Sequence, residues 1–219
     1  PGKDPVAKIV AELTGKAAAV VEPRIAQVHC AGGDGKAVKS YQYVGVEDCL
    51  AASLMFGGQK SCKYGCLGLG TCVKNCPFDA MMMSEDGLPV IDPDKCTGCG
   101  KCETVCPKKV IAMMPLSAKV RVNCNSRDKG AVARKACTVA CIGCSLCMRE
   151  CPHGAVKMEN NLAVVNPEIC HTTCSDARCL SKCPTKAIRP AVLGIVPGTE
   201  NQAAVEAACS SLRKTGAAG

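Results

Sequence analysis

The chain has 219 residues and a formal charge of +8, with 21 cysteines, no tryptophan, two phenylalanines and three tyrosines. Aromatic side chains normally supply much of the buried area of a core, so a chain this poor in them needs metals or disulfides for stability. The same shortage argues against stacking of bases, so no nucleic-acid binding is predicted from the positive charge.

Hydrophobic periodicity, turn residues and stop signals predict short elements along the chain. The predicted helices cover residues 5–14, 46–56 and 199–213. Two segments with alternating apolar residues, 24–30 and 119–124, are predicted to be strands that end in a cysteine. Hairpins are predicted to pair 80–84 with 88–91 and 155–158 with 162–165.

Two cysteine runs followed by proline carry the strongest signal. Both have the spacing Cys-x2-Cys-x2-Cys-x3-Cys-Pro, first at Cys96, Cys99, Cys102 and Cys106 and then at Cys141, Cys144, Cys147 and Cys151. This is the bacterial ferredoxin run, in which the fourth cysteine binds the other cluster of a pair. Two looser runs with the same Cys-x3-Cys-Pro ending supply partners, at Cys62, Cys66, Cys72 and Cys76 and at Cys170, Cys174, Cys179 and Cys183.

The crossed-ligand rule of two-cluster ferredoxins predicts four [4Fe–4S] clusters. Their predicted ligands are Cys62, Cys66, Cys72 and Cys106 for cluster 1; Cys96, Cys99, Cys102 and Cys76 for cluster 2; Cys141, Cys144, Cys147 and Cys183 for cluster 3; Cys170, Cys174, Cys179 and Cys151 for cluster 4. Zinc sites usually take two well-separated cysteine pairs, which these runs do not resemble. A cluster on four thiolates carries about −2, so four of them would bring the formal charge of +8 to about zero.

Five cysteines lie outside these runs. Cys30 and Cys49 in the first half correspond to Cys124 and Cys137 in the second, each pair joined by a loop with glycine and lysine. These four are predicted either to bind a fifth cluster between the halves or to be buried thiols, since cysteine packs as a small hydrophobe. Cys209 is predicted to be a free thiol. No catalytic motif and no flavin or NAD fingerprint is found, so no catalytic residue is predicted.

The matching halves indicate an internal duplication. The predicted fold is α+β, with two tandem bacterial-type 2[4Fe–4S] ferredoxin units, each preceded by a small strand and helix element. The predicted domains are 1–19, an N-terminal helix that ends an upstream domain; 20–116 and 117–190, the two units; and 191–219, a tail. The dense cysteine spacing without a signal peptide predicts a reducing, cytoplasmic environment rather than a disulfide framework.

Four segments resemble the B subunit of the Rnf complex in its long, anaerobe-type form. They are residues 46–49, 60–80, 122–130 and 141–144. Members of that family begin with a membrane helix and a further four-cysteine cluster domain, both absent from the sequence that starts at Pro1. The resemblance therefore implies a membrane anchor upstream, with the present chain soluble at the cytoplasmic face of the membrane.

The resemblance implies a non-catalytic electron carrier in an ion-translocating ferredoxin:NAD oxidoreductase. Soluble ferredoxin and the other Rnf-type membrane subunits would be its partners, and flavin and NAD would bind to those other subunits. Two alternatives stay open at this point. One is a polyferredoxin-type subunit of a hydrogenase or dehydrogenase, and the other is a metal-stapled interaction domain without a redox role.

Overall fold

A computed structural model describes residues 3–15, 22–174 and 177–191. Within these ranges short helices and strands alternate in an α+β arrangement, as predicted. The helices are α1 (Lys3–Thr14), α2 (Cys49–Leu54), α3 (Thr71–Lys74), α4 (Lys101–Thr104), α5 (Gly130–Ala136), α6 (Leu146–Arg149), α7 (Pro167–Thr173) and α8 (Arg178–Lys182). The strands are β1 (Arg24–Val28), β2 (Met81–Met83), β3 (Pro89–Ile91), β4 (Ile111–Pro115), β5 (Val120–Val122), β6 (Val156–Glu159), β7 (Leu162–Val165) and β8 (Ile188–Pro190).

The two halves of the chain repeat one strand topology. In the first, β1 pairs antiparallel with β4 and β2 with β3; in the second, β5 pairs with β8 and β6 with β7. Each opening strand therefore adds to the last strand of its own half. Both hairpins lie where the sequence predicts them. Asn160 and Asn161 both have positive φ, as the two-residue turn between β6 and β7 requires.

The predicted helices have different outcomes. The first is confirmed as α1, and Gly15 follows it at a φ of 66°. The second is confirmed but begins later than predicted, because the carboxylate of Asp48 accepts a hydrogen bond from Ala51 N at 2.9 Å and caps α2. Helix α5 is not predicted from the sequence. The predicted helix at 199–213 lies outside the described residues.

Buried side chains form two cores, one in each half, and both are built from aliphatic residues and cysteine. The first includes Val28, Val110 and Ile111. The second includes Val120, Val122 and Ile188. Several cysteines belong to each core, so the centre of each half consists largely of thiols and small aliphatic side chains.

The loop after β1 joins the two halves. Ala37 forms an antiparallel bridge with Cys137, in which Val38 N donates to Ala136 O at 2.9 Å and Thr138 N donates to Lys36 O at 3.0 Å. A further contact joins His29 Nδ1 to Val122 O at 2.9 Å. These bonds hold the end of β1 and the start of the following loop against the second half.

Candidate iron–sulfur centres

Two of the predicted ligand sets each surround one cavity. We number the cavities after the predicted clusters. The second cavity, of about 330 Å³, is lined by Cys76, Cys96, Cys99 and Cys102. The third cavity, of about 320 Å³, is lined by Cys141, Cys144, Cys147 and Cys183. Each cavity combines three thiols of a regular run with one from the partner run of the same half. This crossed arrangement matches the sets predicted for clusters 2 and 3.

Tight loops with left-handed residues position the three neighbouring thiols. Gly98 and Gly100 have φ values of 72° and 76°, and Gly143 and Ser145 have 66° and 59° at the corresponding positions. The left-handed conformation is routine for glycine and costly for most other residues. The reversals fold each Cys-x2-Cys-x2-Cys segment around its cavity, and the helix that follows, α4 or α6, starts directly after the second reversal.

The predicted ligands of cluster 4 also come together in the structure. Burial raises the pKa of the Cys170 thiol, and the neighbouring Cys174 and Cys151 thiols raise it further. Burial likewise raises the pKa of Cys179 to about 12, with added contributions from Cys170, Cys174 and Cys151. We refer to these four cysteines as the fourth group.

Cluster 1 is the set that the structure arranges differently. The first cavity, of about 380 Å³, is lined by Cys66, Cys72 and Cys106, but its fourth thiol is Cys49 and not the predicted Cys62. Two hydrogen bonds hold Cys49 there: its amide donates to Thr71 Oγ1 at 2.7 Å, and Thr71 Oγ1 donates to Asp48 Oδ2 at 3.0 Å. The cap of α2 thus places Cys49 next to the start of α3.

Cys62 lies instead at the boundary between the halves. It lines the junction cavity, of about 350 Å³, together with Cys30, Cys124 and Cys137. Three of the four cysteines predicted as an alternative fifth site therefore meet, while Cys49 does not join them. No pattern of neighbouring residues in the sequence indicates this grouping, because its members come from four separate segments.

Burial changes the acid–base chemistry of these thiols. It raises the pKa of Cys66, Cys72 and Cys124 to about 12, and that of Cys102 and Cys147 to about 11. The desolvated thiolate is the disfavoured form, so a bare thiol at these positions stays protonated at neutral pH. Binding of positively charged iron would stabilise the thiolate and release the protons.

The thiols line cavities rather than meeting at a point. In the described ranges, no three His, Cys, Asp or Glu side chains come close enough together to bind a single metal ion. Soft thiolates at the walls of a cavity, surrounded by aliphatic side chains, are a donor set that suits an iron–sulfur cluster. The residues present therefore fit the predicted cofactor.

The repeated fold and its thiol-lined cavities define a ferredoxin-type iron–sulfur protein. Family models agree: residues 61–110 and 88–139 each match a 4Fe-4S dicluster domain, and residues 141–155 match a 4Fe-4S binding domain. The chain is thus an electron-transport protein with several [4Fe–4S] clusters.

Similar proteins identify the family. The chain is 56% identical over 213 residues to the B subunit of the proton-translocating ferredoxin:NAD(+) oxidoreductase complex of Clostridium ljungdahlii, covering 96% of this chain and 73% of that protein. It is 43% identical to the B subunit of the Na(+)-translocating complex of Acetobacterium woodii, over 83% of this chain and 54% of that protein. It is also 43% identical to the B subunit of the ion-translocating oxidoreductase complex of Methanosarcina acetivorans, over 84% of this chain and 68% of that protein. The chain belongs to this family of B subunits.

Exchanging one remote ligand tests the crossed arrangement. We expect Cys76→Ala to release iron from the second cavity and to make Cys96, Cys99 and Cys102 reactive toward an alkylating reagent. Cys66 and Cys72 should stay protected, because they line a different cavity. Site-resolved mass spectrometry of the natively alkylated protein is the measurement, with Cys106→Ala as the reciprocal variant. The crossing is refuted if Cys76→Ala instead exposes Cys66 and Cys72.

Proposed function

We propose that this chain relays single electrons between soluble ferredoxin and the other subunits of a membrane-associated, ion-translocating ferredoxin:NAD oxidoreductase. The observation that carries the proposal is the close succession of thiol-lined sites within each half. In the first half, Cys102 of the second cavity is near enough to Cys72 of the first cavity to raise the pKa of that thiol. In the second half, Cys147 of the third cavity has the same relation to Cys179 of the fourth group.

The ligands proposed for three of the clusters are the predicted ones. They are Cys76, Cys96, Cys99 and Cys102; Cys141, Cys144, Cys147 and Cys183; and Cys151, Cys170, Cys174 and Cys179. A further cluster is proposed in the first cavity on Cys66, Cys72 and Cys106. A bound cluster supplies one-electron redox chemistry, and the protein tunes its potential through burial and hydrogen bonds to sulfur.

Two of the sites reach the surface. Cys99 of the second cavity and Cys144 of the third are exposed, whereas most of the other described cysteines are buried or half-buried. Electron exchange with a second protein needs close approach to a redox centre, so the surfaces around these two thiols are proposed to receive the partners. Transient electron-transfer interfaces are small, so an extensive contact surface is not required.

The proposed location is the cytoplasmic face of the membrane, where soluble ferredoxin is present. Among the helices in the described ranges, none combines the length and the apolar character needed to cross a bilayer. Flavin and NAD are proposed to bind to other subunits of the complex.

Metal analysis of the anaerobically prepared, fully loaded chain tests the function. We expect at least sixteen iron and sixteen sulfide per chain, and a visible absorption that both dithionite and reduced ferredoxin bleach. Zinc without sulfide would contradict an electron-transfer role. Iron–sulfur absorption that dithionite bleaches and reduced ferredoxin leaves unchanged would contradict soluble ferredoxin as the partner.

A further inference from the structure

The junction cavity has the characteristics of the cluster sites already described. Its volume of about 350 Å³ lies between the 320 Å³ of the third cavity and the 380 Å³ of the first. Like them it is lined by four cysteines, here Cys30, Cys62, Cys124 and Cys137. Four thiols from separate chain segments therefore converge on one space, as in the other cavities.

We propose that Cys30, Cys62, Cys124 and Cys137 bind a fifth [4Fe–4S] cluster between the two halves, and that Cys49 replaces Cys62 as the fourth ligand in the first cavity. This rests on the proposed function, because it adds one redox site to a chain of such sites. It replaces both the sequence-based ligand set of cluster 1 and the sequence-based composition of a fifth site.

The four thiols line the same cavity. A Cβ atom added to Gly32 would lie 3.1 Å from Cys137 Sγ and 3.8 Å from Cys30 Sγ. A side chain at this position would therefore enter the space beside both thiols, which glycine leaves open. Cys30 and Cys137 are both close enough to Cys62 to raise its pKa beyond the effect of burial. Cys30 has the same effect on Cys124. Cys30 is thus a neighbour of all three other thiols.

Backbone pairing holds Cys62 away from the rest of its own run. Lys60 bridges to Lys39, and Ser61 N donates to Val38 O at 2.8 Å. Val38 in turn pairs with the second half through Ala136. A continuous set of backbone hydrogen bonds therefore fixes the residues just before Cys62 to the junction.

A buried cation supplies a second and independent observation. Lys60 lines the junction cavity and is only 6% exposed, with its Nζ donating to the carbonyl oxygen of Gly32 at 2.7 Å. Lysine is almost never fully buried unless a negative group accompanies it. Among the described residues, no carboxylate forms an ion pair with Lys60. A cluster held by four thiolates carries net negative charge and would provide the missing partner.

The fifth site would connect the two halves. Cys66 N, from the first cavity, donates to Cys30 Sγ at 3.4 Å. On the other side, Cys141 of the third cavity is a direct neighbour of Cys124, and the backbone amide of Cys141 lies within hydrogen-bonding reach of the Cys124 thiol. The order of sites is then second cavity, first cavity, junction cavity, third cavity and fourth group. An electron accepted in one half could then leave from the other half through this series of sites.

Iron stoichiometry and native alkylation of the loaded, full chain test the proposal. We expect about twenty iron and twenty sulfide per chain, and protection of Cys30, Cys49 and Cys62 alike from alkylation. The double variant Cys30→Ala/Cys124→Ala should lose about four iron and leave Cys66, Cys72 and Cys106 protected. Cys49→Ala should instead make those three reactive, while Cys209→Ala, the control at the predicted free thiol, should change neither readout.

The outcomes separate this proposal from the function on which it rests. Sixteen iron per chain, unaffected by the double variant, would overturn the fifth cluster and leave the electron carrier intact. Absence of iron and sulfide would overturn both. If the double variant does not fold, Cys62→Ala decides. Alkylation of Cys66, Cys72 and Cys106 in that variant supports the sequence-based cluster 1, and alkylation of Cys30, Cys124 and Cys137 supports the exchange.

Discussion

Removal of the clusters should unfold both halves of the chain. The core of each half depends on cysteines. In the first half, Cys66, Cys72 and Cys102 are buried members of the core and pack among aliphatic side chains. Small domains without an extensive hydrophobic core rely on metals for stability, and their free energy of metal binding is also their free energy of folding. Without iron and sulfide, the thiol-lined cavities would be left as holes in that core.

Circular dichroism of the apoprotein measures this effect. Chelation under anaerobic, reducing conditions excludes disulfides as an explanation, and we expect the cooperative thermal transition of the loaded chain to disappear. Reconstitution with iron and sulfide should restore it, which serves as the control for irreversible damage. A cooperative transition in the apoprotein would show that the aliphatic core alone is sufficient.

How readily each site can be predicted from the sequence depends on how many chain segments contribute its thiols. The second and third cavities take three thiols from a seven-residue loop, so the spacing of Cys96, Cys99 and Cys102 already defines most of the site. The remote fourth thiol follows from the crossed rule for paired clusters. Local sequence is therefore sufficient to predict which thiols line these two cavities.

The first and junction cavities depend on tertiary contacts. Cys49 reaches the first cavity because the cap of α2 bonds to Thr71, and Cys62 reaches the junction because its neighbours pair with the loop after β1. The wider spacing in the first run, with three and five residues between its first three cysteines, does not reveal this exchange, because the run at Cys170 has three and four residues between its first three cysteines and keeps them together. The spacing indicates an irregularity without identifying the replacement.

Helix α5 escapes prediction for a related reason. Its seven residues contain two alanines, Ala133 and Ala136, that are buried, and the exposed Val132 carries most of its hydrophobicity. Such a segment has no apolar stripe that periodicity could detect. Its helical state is set by packing against the second half, which the sequence of the segment does not reveal.

Replacing Gly98 should weaken the first half much more than replacing Gly100, although both glycines belong to one loop and have nearly equal φ values of 72° and 76°. A Cβ on Gly98 would overlap the carbonyl oxygen of Arg24 in β1, whereas a Cβ on Gly100 would have nothing within 4 Å. Both alanine variants carry the left-handed backbone penalty of roughly 1 kcal/mol. Only Gly98→Ala also forces apart two backbone segments, which costs about 2 kcal/mol more by analogy with overpacked cores.

The rate of cluster loss in excess chelator measures the difference. The chelator removes released iron and makes the loss irreversible, so stability under these conditions is best expressed as a rate. An additional 2 kcal/mol corresponds to roughly a 30-fold change, provided that opening of the first half limits the loss of iron. Gly100→Ala is the matched control, because it changes the backbone preference of the same loop without the contact. Equal rates for the two variants would mean that β1 does not pack tightly on this loop, and that the left-handed conformation alone accounts for the glycines.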